Sequence, residues 1–145
     1  MSPEVRAYMT RNPVTVGPSD SIRKVRLLMR QGRVRRLPVI EDRRVVGIVT
    51  DRDIWERSPA AISEGEESNG HNLTDHLRVM GIMTLRPITV APTLSVVDAA
   101  RQLRESHVGA LLVVEDGLLV GILTKGDLID ALLDGYAAAV NASRS

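Results

Sequence analysis

The chain has 145 residues, 43% of them hydrophobic and 26% charged, with a formal net charge of +1 and no cysteine. That composition excludes a disordered or collagen-like chain, a disulfide framework, a thiolate zinc site and a cysteine nucleophile, and it suits one compact domain or two small motifs sharing a core. Charge is unevenly placed: residues 1–53 carry twelve Lys/Arg against six Asp/Glu and residues 54–145 seven against twelve, so the basic first half opens a nucleic-acid reading.

With no Phe and only Trp55, Tyr8 and Tyr136, the chain cannot build the aromatic platform on which single-stranded nucleic acid stacks. The opening stretch MSPEVRAYMTRNP lacks the ~7–15 apolar residues of a secretory signal. The longest apolar stretch, 108–123, is interrupted by Glu115 and Asp116 and falls short of the ~20 residues that cross a bilayer. A soluble, cytoplasmic protein with no membrane association is expected.

The chain repeats itself. A shift of 74 residues lays Met9-Thr10 and Pro13-Val14-Thr15-Val16 on Met83-Thr84 and Pro87-Ile88-Thr89-Val90, and of the 45 positions paired from Met9/Met83 to Asp53/Asp127, 18 are identical without a gap. Each copy opens with a β-rich run, 14–16 in the first. Pro18 and Ser19 then predict a helix entry with Ser19 as N-cap, and Thr93 after Pro92 is its counterpart. Ile22, Val25 and Met29, matched by Val96, Ala99 and Leu103, recur at the spacing of one buried helix face. That helix ends near Gly32. Two β-rich runs, 34–40 and 44–49, joined by Glu41-Asp42-Arg43 in the first copy and Glu115-Asp116-Gly117 in the second, predict a hairpin. A last helix begins after Thr50 or Thr124. At about 50 residues one copy is too small to bury a good core alone, so the two are expected to pack together.

The organisation expected is a first motif over 1–58, an exposed linker over 59–72, a second motif with a C-terminal helix over 73–140, and a disordered tail over 141–145. A short helix over 73–80 leads into the second copy. Leu128, Leu132, Tyr136 and Val140 make the segment 127–140 an apolar helix tail that offers a dimer contact. Thr50-x-x-Asp53 and Thr124-x-x-Asp127 fit a variant of the capping box that satisfies a helix N-terminus without any ligand. His71, His76 and His107 have no metal-ligand spacing, and neither a Ser-His-Asp arrangement nor a phosphate-binding P-loop is present. No catalytic residue and no metal site are expected.

Two copies that open like YMTRNPVTV and close on GIVTDRD or GILTKGD resemble a tandem pair of cystathionine-β-synthase (CBS) domains. The stretch TDRD followed by Arg57-Ser58-Pro59 is also similar to the first motif of acetoin-utilisation (AcuB-like) proteins. The resemblance implies an α/β (α+β) fold in which two β-α-β-β-α motifs pack as one freestanding, pseudo-twofold Bateman-type module. It implies clefts for adenosine nucleotides of the AMP, ADP or ATP class, with Asp53 and Asp127 on ribose hydroxyls and Thr50 and Thr124 beside phosphate. Adenine would lie between Val14 and Val34 in one cleft and between Ile88 and Val108 in the other.

Charge separates the copies. The first places Arg35, Arg36 and Arg52 where a phosphate is expected, and the second has Gly109, Ala110 and Gly126 there, with Lys125 as its nearest cation. Strand alternation would turn Arg33 and Arg35 away from the side of Val34 and Arg36, so one site cannot use them all. The function implied is a non-catalytic regulatory module, a homodimer, that passes ligand binding to a protein partner by population shift. No cofactor beyond the regulatory ligand is implied. The alternative is a nucleic-acid-binding or scaffold protein that uses the arginine-rich first half.

Overall fold

The computed structural model describes residues 2–57 and 76–144. In chain order its elements are β1 (Thr10–Arg11), α1 (Ile22–Gly32), β2 (Arg36–Glu41), β3 (Arg44–Thr50), α2 (Asp51–Arg57), β4 (Thr84–Leu85), β5 (Thr89–Val90), α3 (Val96–Ser106), β6 (Ala110–Glu115), β7 (Leu118–Thr124) and α4 (Lys125–Ser143), with 3-10 turns at Val5–Ala7 and Val79–Gly81. The mixed α+β class is observed, and the helix, hairpin, helix order read from the sequence recurs in both copies. Among the described residues, no helix is long and apolar enough to cross a membrane.

Helices α1 and α3 form where the apolar spacing demands, burying Ile22, Val25 and Met29 in one and Val96, Ala99 and Leu103 in the other. Their caps differ from the expectation. Ser21 and Ser95, not Ser19 and Thr93, accept the N–H of Lys24 and Asp98, each at 3.1 Å. In the first copy, the residues between Pro18 and the cap form a turn held by Asp20, whose carboxylate accepts the Gly17 N–H at 2.7 Å. Each helix closes on a left-handed residue, Arg33 at φ 53° and His107 at φ 58°. The strands that follow therefore begin at Arg36 and Ala110, not at Val34 and Val108. The alternation expected to set Arg33 and Arg35 against Val34 lapses, because those residues precede the strand.

The hairpins turn as expected through two residues with positive φ, Asp42 and Arg43 at 51° and 68°, and Asp116 and Gly117 at 52° and 79°. The opening run 14–16 forms no strand. Val16 alone bridges to Val39, whereas in the second copy β5 pairs in parallel with β6. One residue explains the difference: the Leu112 N–H donates to the Ile88 carbonyl at 3.0 Å, and its counterpart Pro38 has no N–H to offer Val14.

The chain divides into two compact units, Pro13–Pro87 and Met1–Asn12 with Ile88–Ser145. The first holds a three-stranded sheet in the order β2-β3-β4 and the second a four-stranded sheet in the order β1-β7-β6-β5. The leading segment of each copy thus completes the sheet of the other. In the first unit Val79 and Ile82 join a core of Val16, Ile22, Val25, Leu37, Val39, Val49 and Ile54. In the second, Val5 joins Val90, Ala99, Leu103, Leu111, Val113 and Leu123. The repeat thus begins earlier than Met9/Met83, with Val5 and Val79 as equivalent, fully buried residues.

Two glycines permit this docking. A Cβ on Gly47 would stand 2.9 Å from the Thr84 carbonyl oxygen, and one on Gly121 would stand 2.9 Å from that of Thr10. Helix α4 runs through Ser143, so most of the stretch 141–145 read as a disordered tail is helical. The linker over 59–72 and the first part of the helix read over 73–80 lie outside the described residues, and 79–81 is a 3-10 turn.

Candidate functional site

Each Thr-x-x-Asp spans a strand-to-helix junction: β3 ends at Thr50 where α2 starts, and β7 ends at Thr124 where α4 starts. In the first unit Asp53 Oδ2 accepts the Thr50 N–H at 3.0 Å, and the Asp53 N–H donates to Thr50 Oγ1 at 2.9 Å. Asp53 Oδ1 accepts the Thr84 hydroxyl at 3.2 Å. In the second unit Asp127 Oδ2 accepts the Thr124 N–H at 2.8 Å and the Thr124 hydroxyl at 3.2 Å. The reciprocal Thr50–Asp53 bonds and the Thr124 N–H bond to Asp127 are capping-box contacts. A carboxylate has about four lone-pair positions, so capping leaves acceptor capacity on both side chains.

Strand register decides which basic groups join them. Arg36 stands directly across from Thr50 and Ala110 directly across from Thr124, and such opposed residues share a face of the sheet. The first unit therefore gathers Arg36, Thr50 and Asp53. Arg35 lies beside them, its carbonyl accepting the Asp51 N–H at 3.0 Å and its guanidinium 3.9 Å from the Asp51 carboxylate. Arg52 is engaged along its own helix, donating to Glu56 at 2.8 Å, and that bond holds its guanidinium more firmly protonated.

The second unit lacks the cation. Ala110 is buried and neither it nor Gly109 has a polar side chain. Lys125 is not brought to Asp127: two helical positions separate them, roughly 200° of rotation, and Lys125 lines a groove with Arg104 and His107 instead. The four apolar residues also divide. Ile88 and Val108 pack against the second core, whereas Val14 and Val34 are 49% and 41% exposed and belong to no core.

Sequence reasoning missed Thr84 and Arg57. Arg57 donates to the carbonyls of Ile82 and Met83 at 2.8 and 3.1 Å, tying the incoming segment to α2. The repeated Met-Thr pair was visible, but its contact with the other copy's aspartate was not. Among the described residues, no group of three or more His, Cys, Asp or Glu could hold a metal ion.

A family model for the CBS domain matches residues 5–54 and 79–134. The CBS domain-containing protein YhcV of Bacillus subtilis is 31% identical over 124 residues, covering 86% of this chain and 81% of that one. The solved structure of CBSX2 in complex with AMP is 32% identical, with a TM-score of 0.74 over 90% of this chain and 96% of that one; CBSX2 is a CBS-pair protein of Arabidopsis thaliana. The acetoin utilization protein AcuB of Vibrio cholerae shares the fold, with a TM-score of 0.78 at 23% identity over 97% of this chain and 98% of that one. Other curated relatives are much longer: the chain spans 23% of an inosine-5'-monophosphate dehydrogenase of Korarchaeum cryptofilum and 32% of the protein MJ1404 of Methanocaldococcus jannaschii. CBS pairs are regulatory modules and are not themselves catalytic. With two matched motifs over most of its length, this chain belongs to the CBS domain family.

Proposed function

We propose that the chain is a non-catalytic regulatory module that binds an adenosine nucleotide of the AMP, ADP or ATP class. The observation that carries this reading is the grouping of Arg36, Thr50 and Asp53 at one strand-to-helix junction. There a carboxylate can accept both ribose hydroxyls while a guanidinium and a hydroxyl stand where phosphate can be bound. A relative 32% identical has been solved with AMP, which supports the ligand class. The second junction offers Thr124 and Asp127 without an adjacent arginine and is the weaker phosphate site.

Binding would act on a partner by favouring one arrangement of the protein over another. We place the module in the cytoplasm as a homodimer. Ile129, Leu132, Leu133 and Tyr136 on α4 are all more than half exposed, an apolar surface that supports self-association.

A thermal-shift panel of AMP, ADP, ATP, S-adenosylmethionine and NAD tests the reading. A ligand at 100 times its dissociation constant should stabilise the protein by about 2.7 kcal/mol. No shift with any adenosine compound, together with no heat in a titration with AMP, would overturn it.

A further inference from the structure

The repeat builds one groove twice, between the long helix of each unit and the start of the helix after its hairpin. In the first unit it is lined by Arg26, Met29, Arg30, Asp51 and Ile54 and holds about 220 Å³. In the second it is lined by Ala100, Leu103, Arg104, His107, Lys125 and Leu128 and holds about 420 Å³. A shift of 74 residues carries every lining residue of the first groove onto one of the second. The lining residues are equivalent, and their chemistry is not.

Two substitutions account for the contrast. Ala100 in place of Arg26 removes a long side chain and widens the groove. Lys125 in place of Asp51 reverses a charge, so the first groove sets a carboxylate among its arginines and the second sets Arg104, Lys125 and the His107 imidazole around one opening with no acid among them. Among the described residues, none of these three basic side chains has a hydrogen bond or ion pair. The like charges of Arg104 and Lys125 at one opening raise the local potential, and an anion entering there relieves it. Leu103, Leu128 and Ala100 supply an apolar lining beneath them, and the volume falls in the range of small-molecule pockets, about 300–1,000 Å³.

We infer that the groove between α3 and α4 is a binding site for an organic oxyanion, a carboxylate or phosphate carried on a small apolar body. The Arg104 fork takes two oxygens of the anion, Lys125 adds a point charge, and the apolar part covers Leu103 and Leu128. Asp127 lies on the other side of α4 from Lys125, so the site is independent of the nucleotide reading.

Amide-resolved NMR titrations of the full chain test it, using phenyl phosphate and hexanoate as the two oxyanions and benzyl alcohol as the neutral apolar control. Saturable shifts confined to residues 100–107 and 125–128 are expected with at least one oxyanion and not with benzyl alcohol, and the tighter of the two tells phosphate from carboxylate. Lys125→Asp, which installs the residue the first unit carries at this place, and Arg104→Gln should each weaken that binding at least tenfold. Lys125→Asp sits on an exposed first helical position and leaves the fold intact, so it decides alone if the other variant does not fold. Absence of shifts with both oxyanions, equal shifts with benzyl alcohol, or undiminished binding in Lys125→Asp would overturn the assignment.

Discussion

The hydroxyl of Thr84 donates to Oδ1 of Asp53 at 3.2 Å, so an aspartate at the end of the first copy is held by a residue from the leading segment of the second. Thr84 reaches it by pairing with Ile48 on β3. Its counterpart Thr10 pairs with Ile122 on β7 in the same register, yet among the described residues Asp127 takes its hydrogen bonds from Thr124 alone. Asp53 is fixed through both oxygens and Asp127 through one.

Substitutions at Asp53 separate cap from ligand. Asp53→Asn keeps an oxygen for the Thr50 N–H and should cost little stability in urea unfolding, whereas Asp53→Ala, which removes that acceptor, should cost about 0.5–1.5 kcal/mol. Calorimetric affinity for AMP should fall in both variants by about 1.5–3 kcal/mol, the range for hydrogen bonds to a charged group. Wild-type affinity in Asp53→Asn would leave the residue a cap and nothing more.

Arg36→Ala should weaken AMP about tenfold or more while adenosine binding stays nearly unchanged, since only AMP carries the phosphate that a guanidinium recognises. Equal losses for both ligands would remove Arg36 from the phosphate role. A DNA duplex titrated alongside addresses the rival reading: duplex affinity that collapses as salt rises, in a chain indifferent to AMP, would assign the arginine-rich half to nucleic acid.

Fragments should follow the compact units, not the sequence repeat. A chain of residues 1–60 lacks Val79 and Ile82 from its core and should be largely unfolded by circular dichroism, whereas 13–87 should unfold cooperatively. In the full chain Val79→Ala and Val5→Ala should each cost about 2 kcal/mol, the value of two buried methyl groups with their cavity. A cooperative 1–60 fragment would contradict the exchange of leading segments.

Gly47→Ala and Gly121→Ala should each destabilise by about 1–3 kcal/mol in urea unfolding, the usual cost of overpacking. Neither glycine has positive φ, and the obstacle is the carbonyl oxygen 2.9 Å from the added carbon, with a methionine sulfur beside it. Stability raised by either substitution, as happens at unhindered glycines, would show that the leading strand is held elsewhere.

Asp20 sets a pH dependence. The Gly17 N–H bonded to its carboxylate, with help from Lys24, lowers its pKa below the ordinary 3.8, against a smaller opposing effect of burial. A lowered folded value means that the unfolded chain binds the proton more tightly. The stabilisation is therefore complete above 3.8 and is lost as pH falls through the folded value. Asp20→Asn should be less stable than wild type at pH 7, with the gap narrowing toward pH 2. A gap independent of pH would trace the effect to the turn geometry alone.

Much of this fold was legible because repetition reports each element twice. The buried faces of α1 and α3 and the two hairpin turns followed directly from apolar spacing and from paired turn residues. Helix caps were less legible, since Pro18-Ser19 and Ser21 both suit a helix entry and the Asp20 turn decides between them. Repetition itself concealed the exchanged segments: Val5 and Val79 are interchangeable as sequence, and the pattern does not say which core each fills. At the site, Thr50 and Asp53 could be read from local spacing. Pairing Arg36 with Thr50 needed the strand register, and separating Lys125 from Asp127 needed the helix rotation.

The hydrogen bond from Tyr8 to Asp134 spans 126 positions of sequence, and this distance has a temporal side. A ribosome adds about 5–20 residues per second, so the segment around Val5 and Tyr8 emerges on the order of ten seconds before α4 exists to receive it. Residues 13–87 can close their own unit within that interval. The segment around Val5 and Tyr8 thus finds its place only after residues made long after it have appeared.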